Sequence, residues 1–362
     1  MKAACQIILL LVGLVAGVIT KTSAEELSGL PQYQPAHQVS GVIRSWGNDH
    51  MAGLMKNWEE GFRKYQPGIY FTDSLKGTAS APFGLFENVA DLAVMGRPIF
   101  AYETYGIYRR SLMVPVEIAV ATGSFDVPGK TFALTVFVHR DNPLAKLTLP
   151  QLDGIYGAQR TGGWQGLSWN RDAARGPEGN LRTWGQLGLT GEWADKPIHL
   201  YGPPGVYPGG QTFFQARVMG GADTWAEGLH EYADRQAMMD ALSKDPLGIA
   251  YTGMCYQTPQ TKPLAIAETA AGPYVVPTKA TVADRRYPLS RLVYLCFAPD
   301  QPSGEPANPP VDPKVQEFLR YILSRQGQAD VAREGDYLPL TAATASAQLQ
   351  KLDSPNSKPP AL

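Results

Sequence analysis

One stretch of the sequence carries residue types suited to binding a small anion. Residues 198–218 read IHLYGPPGVYPGGQTFFQARV, in which an apolar run leads through a glycine- and proline-rich turn into a helix predicted to begin near Gly210. The first amides of a helix lack partners within it and stand at the positive end of its dipole. We therefore interpret Gly210, Gln211 and Thr212 as candidate anion ligands. The structural alternative is an ordinary turn, because a strand-to-helix connection needs glycine to change direction.

Three earlier strand ends also carry small or polar residues. The predicted strands at 41–44, 70–72 and 90–95 are followed by Asn48-Asp49-His50, by Gly77-Thr78-Ala79-Ser80-Ala81 and by Gly96-Arg97-Pro98. In an open α/β sheet, ligands bind at the carboxyl ends of the strands. The candidate ligands at these ends are Asn48, Asp49, His50, Thr78, Ala79, Ser80 and Arg97.

The surrounding sequence predicts the elements that position these loops. A single helical face is predicted by the apolar spacing of Met51, Leu54, Met55, Trp58 and Phe62. Runs rich in β-formers at 114–122 and 132–139 predict two further strands. The polar loop at 157–180 holds two tryptophans and three arginines and is long for a compact domain. It is either a functional segment or an insertion fastened to the surface by its tryptophans.

Composition and motifs exclude several classes of function. The 362 residues are 44% hydrophobic and 18% charged, with a formal net charge of −1, so a large core is expected and a basic surface for nucleic acid is not. No His-Glu-x-x-His, Gly-x-Ser-x-Gly or metal-spaced cysteine pair occurs. The run GSFDVPGKT has five residues between its glycines where a P-loop needs four. We predict no catalytic residues, no metal and no cofactor.

The first 24 residues have the pattern of a cleaved secretory signal. Lys2 precedes an apolar run at 7–19, and Thr22-Ser23-Ala24 offers small residues for cleavage. The apolar run is shorter than the roughly 20 residues of a spanning helix, which argues against a membrane anchor. Export leaves Cys255 and Cys296, which either form a disulfide or remain buried thiols.

The order of motifs along the chain resembles the phosphate-type periplasmic solute-binding proteins, the extracytoplasmic receptors of ABC importers within the type II periplasmic-binding-protein superfamily. The matching segments are Gly47–Met51, Ala90–Ala93, Gly96–Pro98, Asp141–Pro143, Leu147–Leu152, Thr183–Gly188, Gly248–Tyr251, Tyr287–Arg291 and Phe318–Gln328. They cover most of the chain that follows the signal.

This resemblance implies a two-lobed α/β fold with a hinge and a ligand cleft between the lobes. The implied division is a signal peptide at 1–24, the first lobe at 38–133 and 262–345, the second lobe at 134–261 and a disordered tail at 346–362. It also implies a periplasmic or secreted monomer that binds a small anion and a membrane ABC permease, without nucleic acid.

The sequence departs from this family where the second lobe holds the anion. The family's arginine falls on Pro203 or Pro204, and its Ser-Gly-Thr is replaced by Gly209-Gly210-Gln211. Without this arginine a buried anion loses a charge-assisted hydrogen bond, which is about twice as strong as a neutral one. Two replacements for this arginine are candidates: Arg97 and an arginine of the 157–180 loop. Arg97 is equally well explained as the partner of an ion pair.

The predicted function is capture of phosphate or a similar small oxyanion, with binding as the whole activity. One alternative is a sensor or interaction protein that keeps the two lobes without binding phosphate tightly. A less favoured alternative is a secreted phosphoester hydrolase that depends on His50 or Asp49.

Overall fold

The structure, a computed structural model, describes residues 27–165, 168–203, 209–222, 224–299 and 311–355. The predicted signal peptide therefore lies outside the described residues. Within these ranges, no helix combines the length and the apolar character needed to cross a membrane.

The described chain contains both strands and helices. The strands are β1 Ser40–Gly47, β2 Gly68–Leu75, β3 Leu92–Met95, β4 Val116–Thr122, β5 Thr135–His139, β6 Lys146–Thr148, β7 Gly163–Gln165, β8 Ser168–Asn170, β9 His199–Gly202, β10 Leu229–Glu231, β11 Gly248–Thr252, β12 Thr261–Pro263, β13 Ala265–Ala267 and β14 Leu292–Phe297. The α-helices are α1 Ala52–Arg63, α2 Ala81–Phe86, α3 Ala101–Ser111, α4 Leu149–Tyr156, α5 Gly210–Val218, α6 Arg235–Leu242, α7 Lys279–Ala283, α8 Pro313–Ile322, α9 Arg325–Glu334 and α10 Ala342–Asp353.

The first sheet has the strand order β2-β1-β3-β14-β4. Strands β2, β1 and β3 run parallel, while β14 runs antiparallel to β3 and β4. The predicted apolar face of α1 is confirmed, since Leu54, Met55, Trp58 and Phe62 are all fully buried against this sheet's core. Phe318 of α8 lies 5.2 Å from Phe62, measured between ring centroids, so helices from both ends of the chain cover one sheet.

The second sheet has the strand order β10-β9-β11-β5-β12 and its own core. Strands β9 and β11 are parallel, and β5 is antiparallel to β11. Aromatic rings fill the core: Tyr251 stacks on Phe214 at 4.1 Å and meets Tyr156 edge-on at 5.2 Å, measured between ring centroids. Buried residues from 264 to 289, including Ile266 and Leu289, pack in this second core. The molecule is thus a two-lobed α/β protein.

Two chain segments pass between the sheets side by side. The first connects β4 to β5 over residues 123–134, and the second enters β14 at Arg291. They are joined by backbone hydrogen bonds from Leu134 to Leu289 (3.1 Å) and from Gly123 to Arg291 (2.8 Å). These paired segments form the hinge region between the lobes.

The C-terminal segment is ordered further than the sequence predicted. A disordered tail was predicted from 346, but α10 continues to Asp353, and Ala345 and Leu352 are fully buried in the first core. The prediction is wrong over 346–353. The apolar residues of this helix pack on the core of the first lobe, and this contact joins segments that are far apart in the sequence. Residues 356–362 lie outside the described residues.

The polar loop at 157–180 is organised around one carboxylate. Arg160 binds both oxygens of Asp153 at 2.7 Å, and Arg175 lies 3.3 Å from the same carboxylate. The two tryptophans, Trp164 and Trp169, meet across the β7-β8 hairpin with ring centroids 5.3 Å apart. Both arginines are therefore held within the loop.

The two remaining cysteines are free thiols. Cys255 packs at the margin of the second core and Cys296 is fully buried in β14 of the first sheet. Burial raises the pKa of Cys255 to about 11, so the thiolate is scarce near neutral pH. The sequence left open whether the two cysteines form a disulfide or remain thiols, and in the structure they are thiols.

Candidate anion-binding site

A cavity of about 430 Å³ lies where the two lobes face each other. The first sheet contributes the loops after β1, β2 and β3, and the second contributes the ends of β9 and β11 with the start of α5. Because parallel strands place their carboxyl ends at one edge of a sheet, loops distant in sequence meet at the cavity. The paired hinge segments form its back, through Thr131, Phe132, Leu134 and Arg291.

Three polar side chains converge on Gly96 at the floor of the cavity. Thr78 Oγ1 accepts a hydrogen bond from the Gly96 amide at 3.1 Å, and Asn48 Nδ2 donates to Thr131 Oγ1 at 3.1 Å. A methyl group added at Gly96 would lie 2.6 Å from Asn48 Nδ2 and 2.8 Å from Thr131 Oγ1. A larger residue at this position would therefore displace the Asn48 amide and the Thr131 hydroxyl, which both line the cavity.

Six of the ten predicted ligands line this cavity. They are Asn48, Asp49, His50, Thr78, Ala79 and Gly210. The other four are absent from the lining in the described chain. The Ser80 hydroxyl donates to the Gly77 carbonyl at 2.8 Å, and the Thr212 hydroxyl is bonded to Gly209 in the first turn of α5. Gln211 is buried, with 2% of its surface exposed.

Arg97 points to a carboxylate instead of the cavity. Its guanidinium donates to both oxygens of Glu103 at 2.9 and 2.8 Å and lies 3.6 Å from the ring centroid of Phe100. The side chain is 3% exposed, so its charge is compensated inside the first lobe. Of the two interpretations of Arg97, ligand or ion-pair partner, the structure has the ion pair with Glu103.

The sequence analysis missed Arg291, the buried cation at the back of the cavity. Its side chain is 5% exposed, and Nη2 donates to the Gly96 carbonyl at 2.7 Å. Within the described chain, Nε has no hydrogen-bond partner and no carboxylate forms an ion pair with the guanidinium. Burial lowers its pKa to about 10, which keeps it charged at neutral pH. The one available signal was an arginine immediately before the apolar run of β14.

Two buried hydroxyls at the end of β11 also lack partners among the described residues. Tyr251 and Thr252 line the cavity, and neither Tyr251 Oη nor Thr252 Oγ1 forms a hydrogen bond within the described chain. The ring of Tyr251 is fixed by its stacking on Phe214, and burial raises the pKa of the phenol, so it stays a neutral donor. A buried polar group without a partner is costly, and such groups around one cavity are typical of a polar ligand site.

The charge lining the cavity is predominantly positive. Lys76, Lys130, Arg235 and Arg291 line it, against the single carboxylate of Asp49. Lys130 is bonded to Glu334 at 2.8 Å and to Asp336 at 2.8 Å; these bonds raise its pKa, although burial opposes them. The remaining cations form no ion pair in the part of the chain that the structure describes. A protein with a net charge of −1 thus holds a local positive field.

The second-lobe wall includes the first turn of α5. Gly209 caps α5 with a positive φ of 114°, a conformation that favours glycine, and Gly209 and Gly210 both line the cavity. Pro203 lines it as well, while residues 204–208 of the predicted turn lie outside the described residues. The start of α5 therefore faces the cavity, as the sequence predicted.

Comparison with known proteins places this geometry among solute-binding proteins. The PBP superfamily domain matches residues 34–326. The phosphate-binding protein PstS of Pseudomonas aeruginosa is 31% identical over 323 residues, which are 89% of this chain and 90% of that protein. In fold, the chain is similar to an ABC-type phosphate transport receptor from Vibrio cholerae (TM-score 0.54, 18% identity, 82% and 99% covered). It is also similar in fold to PstS from Borrelia burgdorferi (TM-score 0.54, 15% identity, 83% and 100% covered).

Proposed function

Because the chain belongs to the PBP superfamily and to the family of PstS phosphate-binding proteins, we propose that it captures phosphate for an ABC importer. Binding is then its whole activity, and it is not an enzyme. The chain works outside the cytoplasm as a monomer, after removal of residues 1–24, and delivers its ligand to a membrane permease. Nucleic acid plays no part.

The uncompensated charge of Arg291 is the observation that carries this proposal. A buried cation is destabilising unless an anion or a set of acceptors compensates it. Arg291 donates to the Gly96 carbonyl at 2.7 Å and to the Phe132 carbonyl at 3.5 Å, but it has no carboxylate partner within the described chain, and its Nε lacks a partner. A bound phosphate would supply both the negative charge and the missing acceptor.

Other groups around the cavity complete the ligand sphere in this proposal. The hydroxyls of Tyr251 and Thr252 and the first amides of α5 donate from the second lobe. The loops containing Asn48, Asp49, His50, Thr78 and Ala79 approach from the first lobe. The sequence predicted residues from 262 onward in the first lobe. Because residues 264–289 pack in the second core, we propose instead that the first lobe comprises the chain up to the hinge at 123–134 and from Arg291 onward. Closure of the lobes removes the anion from water and strengthens each of these bonds.

Calorimetric titration of the mature protein tests the proposal directly. We expect saturable binding of phosphate with one site per chain, and weaker or no binding of sulfate, molybdate and a panel of small carboxylates. A preference for molybdate or a carboxylate would assign a different ligand. Absence of binding to every anion at millimolar concentration would favour the sensor or interaction protein.

Replacement of Arg291 tests the carrying observation. We expect Arg291→Met to weaken phosphate binding by about 10- to 100-fold, since hydrogen bonds to charged groups contribute about 1.5–3 kcal/mol each. Without phosphate, Arg291→Met should unfold at the same or a higher temperature than the wild type, because a buried unpaired charge is removed. Arg140→Met, at an exposed position beyond β5, is the matched control. Unchanged affinity of Arg291→Met would exclude the assigned role.

A further inference from the structure

Arg235 is a second cavity-lining arginine, and it comes from the second lobe. It is the first residue of α6, and it lies beside Phe132 with its guanidinium carbon 5.5 Å from that ring's centroid. Phe132 and Tyr256 line the same cavity, and Arg235 forms a hydrogen bond with the Tyr256 side chain. Its guanidinium is therefore held on the second-lobe wall by two aromatic residues.

No carboxylate accounts for the position of this charge. The neighbouring Asp234 uses its side chain to cap α6, where Asp234 Oδ1 accepts a hydrogen bond from the Ala237 amide at 2.9 Å. Among the described residues, Arg235 forms no ion pair with an acidic group. A cation is also unfavourable at the start of a helix, where the dipole is positive. The stability of α6 therefore does not explain an arginine at this position.

Arg235 and Arg291 line the same cavity and affect each other electrostatically. Burial is the main cause that lowers the pKa of Arg291. The phenol of Tyr337 raises this pKa, and the positive charge of Arg235 lowers it further. Like charges that face a common cavity without a counter-ion repel each other, and an anion between them would remove that repulsion. The two arginines come from different parts of the fold, one from the hinge and one from the second lobe.

We propose that Arg235 is the second-lobe cation of the anion site and takes the place of the arginine that the family carries near Pro203. This inference rests on the proposed function, since it assumes that phosphate enters this cavity. Together with Arg291 it gives the site two arginines for a doubly charged tetrahedral oxyanion. Lobe closure brings Arg235 to the ligand, so its contribution belongs to the closed state.

The test measures phosphate affinity by calorimetry at several sodium chloride concentrations for four proteins. They are the wild type, Arg235→Gln, Arg235→Lys and the exposed control Arg140→Gln. We expect Arg235→Gln to bind phosphate about 10-fold or more weakly, with a shallower dependence of affinity on salt, because one charge has left the site. Arg235→Lys should keep the wild-type salt dependence and recover part of the affinity. Arg140→Gln should match the wild type.

The outcomes separate this inference from the proposed function. If the wild type binds phosphate and Arg235→Gln binds within twofold of it, Arg235 is not a ligand and the proposed function stands. The same conclusion follows if Arg235→Gln weakens binding without changing the salt dependence, because that result indicates only loss of packing against Phe132 and Tyr256. If the wild type does not bind phosphate, both proposals fail.

Discussion

At the scale of single residues, ion pairing decides which buried charge is available to a ligand. Arg97 and Arg291 have similar exposures of 3% and 5%, but only Arg97 has a carboxylate partner. The charge of Arg97 is therefore satisfied inside the first lobe, whereas that of Arg291 is available to a ligand. The sequence left Arg97 open between a ligand and an ion-pair partner, because it follows a strand, and it gave no indication of a ligand role for Arg291, which precedes one.

Glu59 provides a residue-scale prediction about pH. Its carboxyl is buried on α1 beside Asp73, and burial together with that neighbour raises its pKa to about 8. The folded state therefore holds a proton that the unfolded state loses above about pH 4.5. Stability from this group is complete below pH 4.5 and falls as pH rises to about 8, by about 1.4 kcal/mol for each unit of pKa difference.

The substitution Glu59→Gln should remove the decrease in folding stability that ionisation of Glu59 causes as pH rises. Urea unfolding at pH 5 and pH 8 should show the variant gaining stability relative to the wild type at the higher pH. Glu60→Gln is the control, since Glu60 is exposed and pairs with Lys56 at 3.9 Å on the surface. An equal difference between variant and wild type at both pH values would contradict the assignment of a raised pKa to Glu59.

At the scale of elements, the carboxyl ends of the parallel strands explain the site. Strands β1, β2 and β3 end together on the first sheet, and β9 and β11 end together on the second. Each loop was recognisable from its small and polar residues, because the strand pattern before it is strong. The elements at the back of the site were not, since β14 runs antiparallel to β3 and Arg291 immediately precedes it.

Helix α10 carries an element-scale prediction. Leu352 is fully buried near the end of this helix, and Gln348 accepts a hydrogen bond from the Ala119 amide of β4 at 2.9 Å. We expect Leu352→Ala to lower the free energy of unfolding by about 2–5 kcal/mol, the usual range for a buried leucine. The exposed Gln350→Ala should change it by less than about 0.5 kcal/mol. Urea midpoints of the two variants measure this, and equal midpoints would mean that α10 does not dock on the first lobe.

At the scale of the whole molecule, the paired hinge segments allow the lobes to move as bodies. Each lobe has its own sheet and core, and the crossing at 123–134 is bonded to the crossing near Arg291. Few residues then need to change conformation for the cleft to close. A ligand that contacts both walls stabilises the closed arrangement by its difference in affinity for the two states.

Small-angle scattering tests closure. We expect the radius of gyration of the mature wild-type protein to decrease when phosphate is added, because the cleft between the lobes narrows. The decrease should be absent in Arg291→Met at a phosphate concentration that saturates the wild type but not the variant. A wild-type radius that stays constant while calorimetry reports binding would show that capture occurs without lobe movement.

The sequence by itself determined the class of fold, the first-lobe loops and the start of α5, because these depend on local patterns of apolar, small and polar residues. It also displayed the absence of the usual second-lobe arginine. Tertiary structure alone decided which charges remain uncompensated. Arg97 forms an ion pair with Glu103, and Arg160 and Arg175 form ion pairs with Asp153. Arg291 and Arg235 form no ion pair with a carboxylate in the described chain. Ion pairing depends on distances between residues far apart in sequence, so only the folded chain separates a structural arginine from one available to a ligand.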